Sequence, residues 1–289
     1  TALFLMRFVG APFTFSFEQV GTNCGLFGKN AAVEVDGSSY WMSENGFFTY
    51  DGQLKSMPCL VEDYVYDSVN DTSRDLINCG LNNLFGEINW FYCSEGSDVV
   101  DRVVTYNYLD SSAKQPIWTT GSLDRTAWQD SSVFNRPHAT YYTSTDDDSF
   151  DVTGNTDGIT IYYNQETGTD QVNAGGVVTA IQANILSGDF DITQKRSNTG
   201  QAVGTPDLRG DGEYIMRISR FIPDFINQTG TTQVSFTTRA YPNSTPITTN
   251  FPIDSTTTFK STRIRARSIA LKVSNTGSNQ DWKLGTFRL

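Results

Sequence analysis

Five aspartates, Asp146, Asp147, Asp148, Asp151 and Asp157, crowd into one short stretch, and carboxylate oxygens at that density could hold Ca²⁺. The run lacks both the EF-hand spacing and its closing Glu, so a solvated loop is the expectation. Glu44, Glu87 and Asp124 lie beside aromatic strands, a setting in which two carboxylates across a cleft cleave glycosidic bonds. Charged residues at strand ends are ordinary, and sequence gives no separation between the three. The chain has one histidine, His138, in Arg136-Pro-His-Ala139. That leaves little room for triad chemistry or a multi-histidine metal site, and a satisfied or exposed loop position is expected.

Cys24, Cys59, Cys79 and Cys93 form no Cys-x-x-Cys pair, so zinc spacing is missing and buried reduced thiols are the simple reading. No Gly-x-Ser-x-Gly elbow or Walker loop occurs, and Gly210-Asp-Gly212 lacks the third glycine of a dinucleotide fingerprint. The residues single out no catalytic group, cofactor or metal. Arg263, Arg265 and Arg267 alternate, so a strand would set all three on one face. Guanidinium pairs carboxylates and phosphates in bidentate fashion, which suits a subunit or phosphate contact, and a solvated face is the plain alternative. In so acidic a chain, a neighbouring chain's carboxylates fit better than DNA.

The elements carrying these residues read as short strands. Phe13–Phe17 alternates with period two and predicts a half-buried strand. Ala31–Val35, Tyr40–Met42, Phe47–Tyr50 and Leu54–Cys59 are separated by Asp36-Gly37, Asn45-Gly46 and Asp51-Gly52, three tight-turn signals. Four strands joined so closely make a meander, the unit of a propeller blade. Leu84–Cys93, Arg102–Leu109 and Ile117–Gly121 repeat the theme, with Trp90 following Trp41 by 49 residues. Tyr141-Tyr142 lies about as far on again, with Gly158–Tyr163 behind it, and a period near 50 suits a kelch-like propeller.

The best helix candidate is Asp67–Cys79, ended by Gly80. Gln165–Gly176 reads as a long polar loop and marks a change of texture near 165–180. Strands follow at Val177–Leu186, Tyr214–Ser219, Gln233–Arg239, Thr262–Val273 and Trp282–Leu289. The fold class is therefore all-β, a β-propeller-like domain over 1–289, or a propeller portion followed by a β-sandwich portion. The last strand has no turn or polar tail, as expected for a piece of a longer protein.

With 21 basic against 32 acidic residues the net charge is −11, which disfavours a sequence-specific DNA reader. No apolar run approaches the ~20 residues of a membrane span.

Several segments, taken in order, resemble the tail nozzle proteins of short-tailed bacteriophages, also known as tail tubular protein B or phage stabilisation proteins. They are Tyr40-Trp-Met-Ser-Glu-Asn-Gly-Phe47, Tyr50-Asp-Gly52, Met57-Pro-Cys59 and Asn82-Asn-Leu-Phe-Gly-Glu-Ile-Asn-Trp-Phe-Tyr92. Further on come Val104-Thr-Tyr-Asn-Tyr108, Trp118-Thr-Thr-Gly-Ser-Leu-Asp-Arg-Thr-Ala127, Arg220-Phe-Ile-Pro-Asp224, Arg263-Ile-Arg-Ala-Arg267 and Trp282-Lys-Leu-Gly285. Ala266 stands where that pattern has Gly, and the likeness is weakest over Phe150–Ser187. The resemblance implies a non-enzymatic virion protein, a propeller-rich subunit of a homo-oligomeric ring at the distal end of the tail. Its partners would be other tail proteins, and DNA would pass through it without sequence-specific binding. An acidic lumen would let that polyanion slide. The alternatives are a carbohydrate-binding or glycoside-cleaving propeller acting on host polysaccharide, and a ligand-binding adhesion propeller.

Overall fold

The computed structural model describes residues 2–112, 115–130, 135–144, 159–172, 176–191, 214–241, 243–275 and 277–289. Its secondary structure is all-β apart from short helical turns. The chain divides into two compact units, Thr1–Thr167 and Gly168–Leu289.

The first unit opens with a hairpin, β1 (Ala2–Phe8) and β2 (Phe15–Thr22). The expected half-buried strand starts later than the alternation suggested, and its aromatic face is exposed. Phe8 pairs with Phe15 and Met6 with Phe17, so Phe4, Met6, Phe8, Phe15 and Phe17 share one uncovered face. Period two fixes which residues share a face, and says nothing about whether a partner covers it.

Next comes a meander of β3 (Ala32–Val35), β4 (Ser38–Ser43), β5 (Gly46–Tyr50) and β6 (Leu54–Met57), paired in chain order. All three expected turns are present, each solved differently. Asp36 and Gly37 both take positive φ, 49° and 77°, as a type I′ turn requires. In the Asn45-Gly46 turn only Gly46 is left-handed, at 110°, and Glu62 lies against it. Asp51-Gly52-Gln53 makes a three-residue link between the paired Tyr50 and Leu54.

The single helix expected over Asp67–Cys79 does not form. Instead α1 (Glu62–Tyr66) precedes a 3-10 turn, Asp71–Leu76, and Cys79 lies in a strand. The break has a local cause. Asn70 Oδ1 accepts from the Thr72 amide and hydroxyl, and Ser68 Oγ donates to the Tyr64 carbonyl, so side chains compete for the groups a helix would use.

A second meander follows: β7 (Asn78–Asn82), β8 (Glu87–Tyr92), β9 (Arg102–Asn107) and β10 (Trp118–Gly121). A third sheet has β11 (Ala127–Gln129), β12 (His138–Ser144) and β13 (Ile159–Gln165), again in chain order. Trp41, Trp90 and Tyr141 each fall in the second strand of their sheet, which gives the period near 50 a structural meaning.

Successive sheets are tied by indoles. Trp90 Nε1 donates to the Ala31 carbonyl at 3.0 Å, Trp118 Nε1 to Pro58 at 2.9 Å and Trp128 Nε1 to Leu81 at 2.8 Å. Each reaches back from one sheet to the one before it. Phe47 of the first meander packs 5.0 Å from Trp90 and 4.7 Å from Trp118 of the second. On the other face of β8, Phe91 stacks 5.7 Å from Trp128. The second meander is thus buried on both faces, by an aromatic core toward the first and a smaller one toward the third. The first strands also meet: Asn30 bridges Asn78 in parallel, and Trp128 of β11 lies over Gly80 of β7.

The second unit begins with a hairpin, β14 (Asp170–Val172), inside the stretch expected to be a loop, and β15 (Val178–Ala180) just after it. The strand expected over Val177–Leu186 is split, its second part being β16 (Asn184–Leu186). There follow β17 (Met216–Phe221), β18 (Phe225–Thr229), β19 (Thr232–Arg239) and β20 (Ile247–Ile253). Last are β21 (Lys260–Ala266), β22 (Ser268–Ser274) and β23 (Asp281–Leu284). One sheet has the order β16-β22-β19-β20, and β17 pairs with β21 and β18 with β23. Val234, Phe236, Ile269 and Val273 of the larger sheet pack with Met216, Ile218, Phe221 and Ile264 in one core.

Candidate functional site

Strand β21 alternates strictly, with Thr262, Ile264 and Ala266 buried and Arg263 and Arg265 exposed. Its partner β17 buries Met216, Ile218 and Phe221 and exposes Arg217 and Arg220. The register sets Arg217 directly opposite Arg265, and a bulge after Ile218 keeps Arg220 on the outer side, opposite Ser261. Two strands therefore carry four arginines on one outward face. Inward, the ribbon is fixed by its apolar residues and by Thr262 Oγ1 donating to the Ile218 carbonyl at 2.6 Å. None of the four guanidiniums forms a hydrogen bond or ion pair among the described residues.

Arg267 departs from the expectation of three arginines on one strand face. The strand ends at Ala266, and Arg267 is the one residue between β21 and β22, where the chain passes from one layer to the other. Its amide donates to the Arg239 carbonyl, and its half-buried guanidinium lies 5.6 Å from the Tyr241 ring centre. It belongs to a corner that also holds Arg239 paired with Asp189 at 2.5 Å. Sequence reasoning missed Arg217 and Arg220 as site residues; the alternation from Met216 to Ile218 could have found Arg217, whereas Arg220 reaches the face only through the bulge.

Like charges directly opposite each other in a β-ladder are unfavourable. A face that places Arg217 against Arg265 with no carboxylate between them carries uncompensated positive charge. The wider charge pattern sharpens this. Residues 1–167 carry 8 basic and 23 acidic side chains, a net of −15, and residues 168–289 carry 13 and 9, a net of +4. The overall −11 hides a dipolar division between the two units.

The other candidates resolve into structural roles. His138 begins β12 rather than lying in a loop; it is buried and bonds through Nδ1 to the Tyr163 hydroxyl. Glu44 accepts from Arg74 at 2.8 Å, and Asp124 lies beside Arg125. Glu87 opens β8, where burial raises its carboxyl above the ordinary range. These three carboxylates make no hydrogen bond to one another. All four cysteines are free, and burial pushes Cys59 and Cys93 up to about 11, so these thiols resist ionisation. Asp146, Asp147, Asp148, Asp151 and Asp157 lie outside the described residues, as do Gly210 and Gly212. Among the described residues no cluster of three metal-ligating side chains occurs. Among the described residues no helix is long and apolar enough to cross a membrane.

An apolar groove of about 610 Å³ lies between the opening hairpin and the first meander, lined by Leu3, Leu5, Val20, Leu26, Trp41 and Tyr50 among others. Glu34 is the one carboxylate residue lining it, where glycoside cleavage needs two. Trp41 presents little surface there, since its ring is buried and its Nε1 is committed to the Cys24 carbonyl at 2.7 Å.

No protein-family model matches the chain, and no curated protein matches it.

Proposed function

We propose that this chain is a non-enzymatic structural subunit of a bacteriophage tail nozzle, forming part of the wall of the channel through which DNA leaves the virion. The observation that carries this reading is the way the first three sheets follow one another. Each is a meander in chain order, the second and third carry indoles that bind back to the sheet before, and their first strands lie side by side. Blades set around an axis have this relation, with first strands innermost. The reading thus extends the all-β fold to a propeller-like portion followed by a sandwich-like one.

Three further features support it. The segments that resemble nozzle proteins cover β8 and β10 and parts of β4, β5 and β9. Phe4, Met6, Phe8, Phe15 and Phe17 set five exposed large apolar side chains on one face, which suits a subunit of an assembly. The net −15 of residues 1–167 suits a wall that does not hold DNA phosphates.

The test is particle imaging together with sedimentation of the purified chain, and antibody labelling of tails in intact virions. The expected result is a ring of several copies around an axial channel, with label at the distal end of the tail. A monomer that releases reducing sugars from host polysaccharide would overturn the proposal in favour of the glycoside-cleaving alternative.

A further inference from the structure

We infer that the arginine face of β17 and β21 is an interface between copies of this chain, receiving the acid-rich Thr1–Thr167 unit of a second copy. The inference rests on the assembly reading above and names the surface that would carry it.

The face needs a partner of opposite sign. Arg217 and Arg265 face each other across a ladder whose inner side is closed by Met216, Ile218 and Ile264. Neither can turn inward, and no carboxylate of the described chain reaches them. Their mutual repulsion is an internal cost of the isolated chain, removed when a carboxylate settles between them. Guanidinium suits that role, because its planar fork takes a carboxylate in two parallel bonds and desolvates more readily than an ammonium.

The matching surface is in the same chain. Between the two meanders, Glu62, Asp63, Asp67, Asp71 and Asp75 lie within fourteen residues, against Arg74 alone, and Arg74 is occupied by Glu44. Asp63 and Asp67 are exposed and stand one helical turn apart, the Asp67 amide donating to the Asp63 carbonyl at 2.9 Å. Like charges at this spacing repel, as the arginines do. Exposed Leu60 and Tyr64 flank the acids and would supply apolar contact around the ion pairs. Each surface carries a like-charge cost that the other cancels. Joining different surfaces of identical chains is a head-to-tail contact, the kind that generates rings when its rotation closes.

A polyanion is the rival occupant, since phosphates are also taken by guanidinium forks. The charge of the whole chain argues against it: a net −11 repels a DNA duplex.

The experiment uses two charge-reversed full-length chains, R217E/R265E and D63K/D67K, followed by sedimentation velocity in roughly 0.1 M and about 1 M salt, where screening becomes short-ranged. The parent should self-associate and weaken in high salt. Each reversed chain alone should associate at least about tenfold more weakly, the equivalent of 1.4 kcal/mol. An equimolar mixture of the two should recover association, which also shows that both remain folded. A third chain, R217K/R265K, keeps the charge and should keep the salt dependence.

Unchanged association of both reversed chains would overturn the inference and leave the assembly reading standing on another surface. Loss without recovery on mixing overturns it as stated. If R217E/R265E assembles normally but loses duplex DNA binding that the parent shows, the face reads phosphate and the inference is wrong. A parent that never self-associates sinks both.

Discussion

The two units bury β-sheet by opposite routes. In Thr1–Thr167 every sheet joins strands consecutive in sequence, so hairpins close locally and the sheets then stack. In Gly168–Leu289 the main sheet sets Asn184 beside Ser274, and β19 lies between β22 and β20. The first unit fills its core with indoles that also donate to the neighbouring sheet, whereas the second packs Phe221, Phe236 and aliphatic side chains. Local stacking lets one pattern be repeated, and repetition is what makes it visible in a sequence. A unit closed by distant strands has no such period.

The sharpest way to break the comparison is to remove one tie between stacked sheets. Trp90 is fully buried, touches Phe47 and Trp118, and donates to Ala31. Trp90→Ala is expected to cost about 3–5 kcal/mol. Hydrogen exchange read by mass spectrometry should show lost protection across β3–β10, with β17, β19, β21 and β22 keeping theirs. Equal loss in both units would mean that they do not behave as separate cooperative bodies.

A smaller effect tests the next joint. At Gly80 an added Cβ would come 2.5 Å from the Trp128 ring. Gly80→Ala should cost about 1–3 kcal/mol by overpacking, read by urea unfolding followed through tryptophan fluorescence. A neutral result would show that β11 can move away from β7 freely, and that the third sheet is not bound as the second is.

These joints also show what was legible beforehand. Asp36-Gly37 needs two left-handed residues and says so in its side chains, and the aromatic strands announce themselves by composition. Strand β7 did not: Asn78-Cys79-Gly80 has neither apolar alternation nor branched residues, because its role is to let Trp128 approach, and that is a tertiary demand. The arginine face was half visible. Arg263 and Arg265 follow strand alternation, but Arg267 falls on a layer-crossing corner, and Arg220 reaches the face only through a bulge that the side-chain pattern does not encode.

In the second unit, Thr262→Val removes a buried hydroxyl that donates to the Ile218 carbonyl, without changing the shape of the ribbon's inner side. The expected cost is about 1 kcal/mol, measured as a shift in denaturation midpoint with unchanged slope. A larger loss would mean that the β17–β21 pair depends on this one bond to hold its bulge.

The smallest expected effect has the opposite sign. Arg265→Thr places a good strand former opposite Arg217 and removes the cross-strand repulsion, so the dilute chain should gain a few tenths up to about 1 kcal/mol. The gain should shrink in about 1 M salt, where the repulsion is screened. By the interface argument, the same substitution weakens association between copies. A residue whose removal stabilises the fold and loosens the assembly is held in place by the partner, since the fold alone would discard it. Should Arg265→Thr instead destabilise the dilute chain, its aliphatic stem contributes packing along the ribbon, and repulsion ceases to be a reason for expecting a carboxylate there.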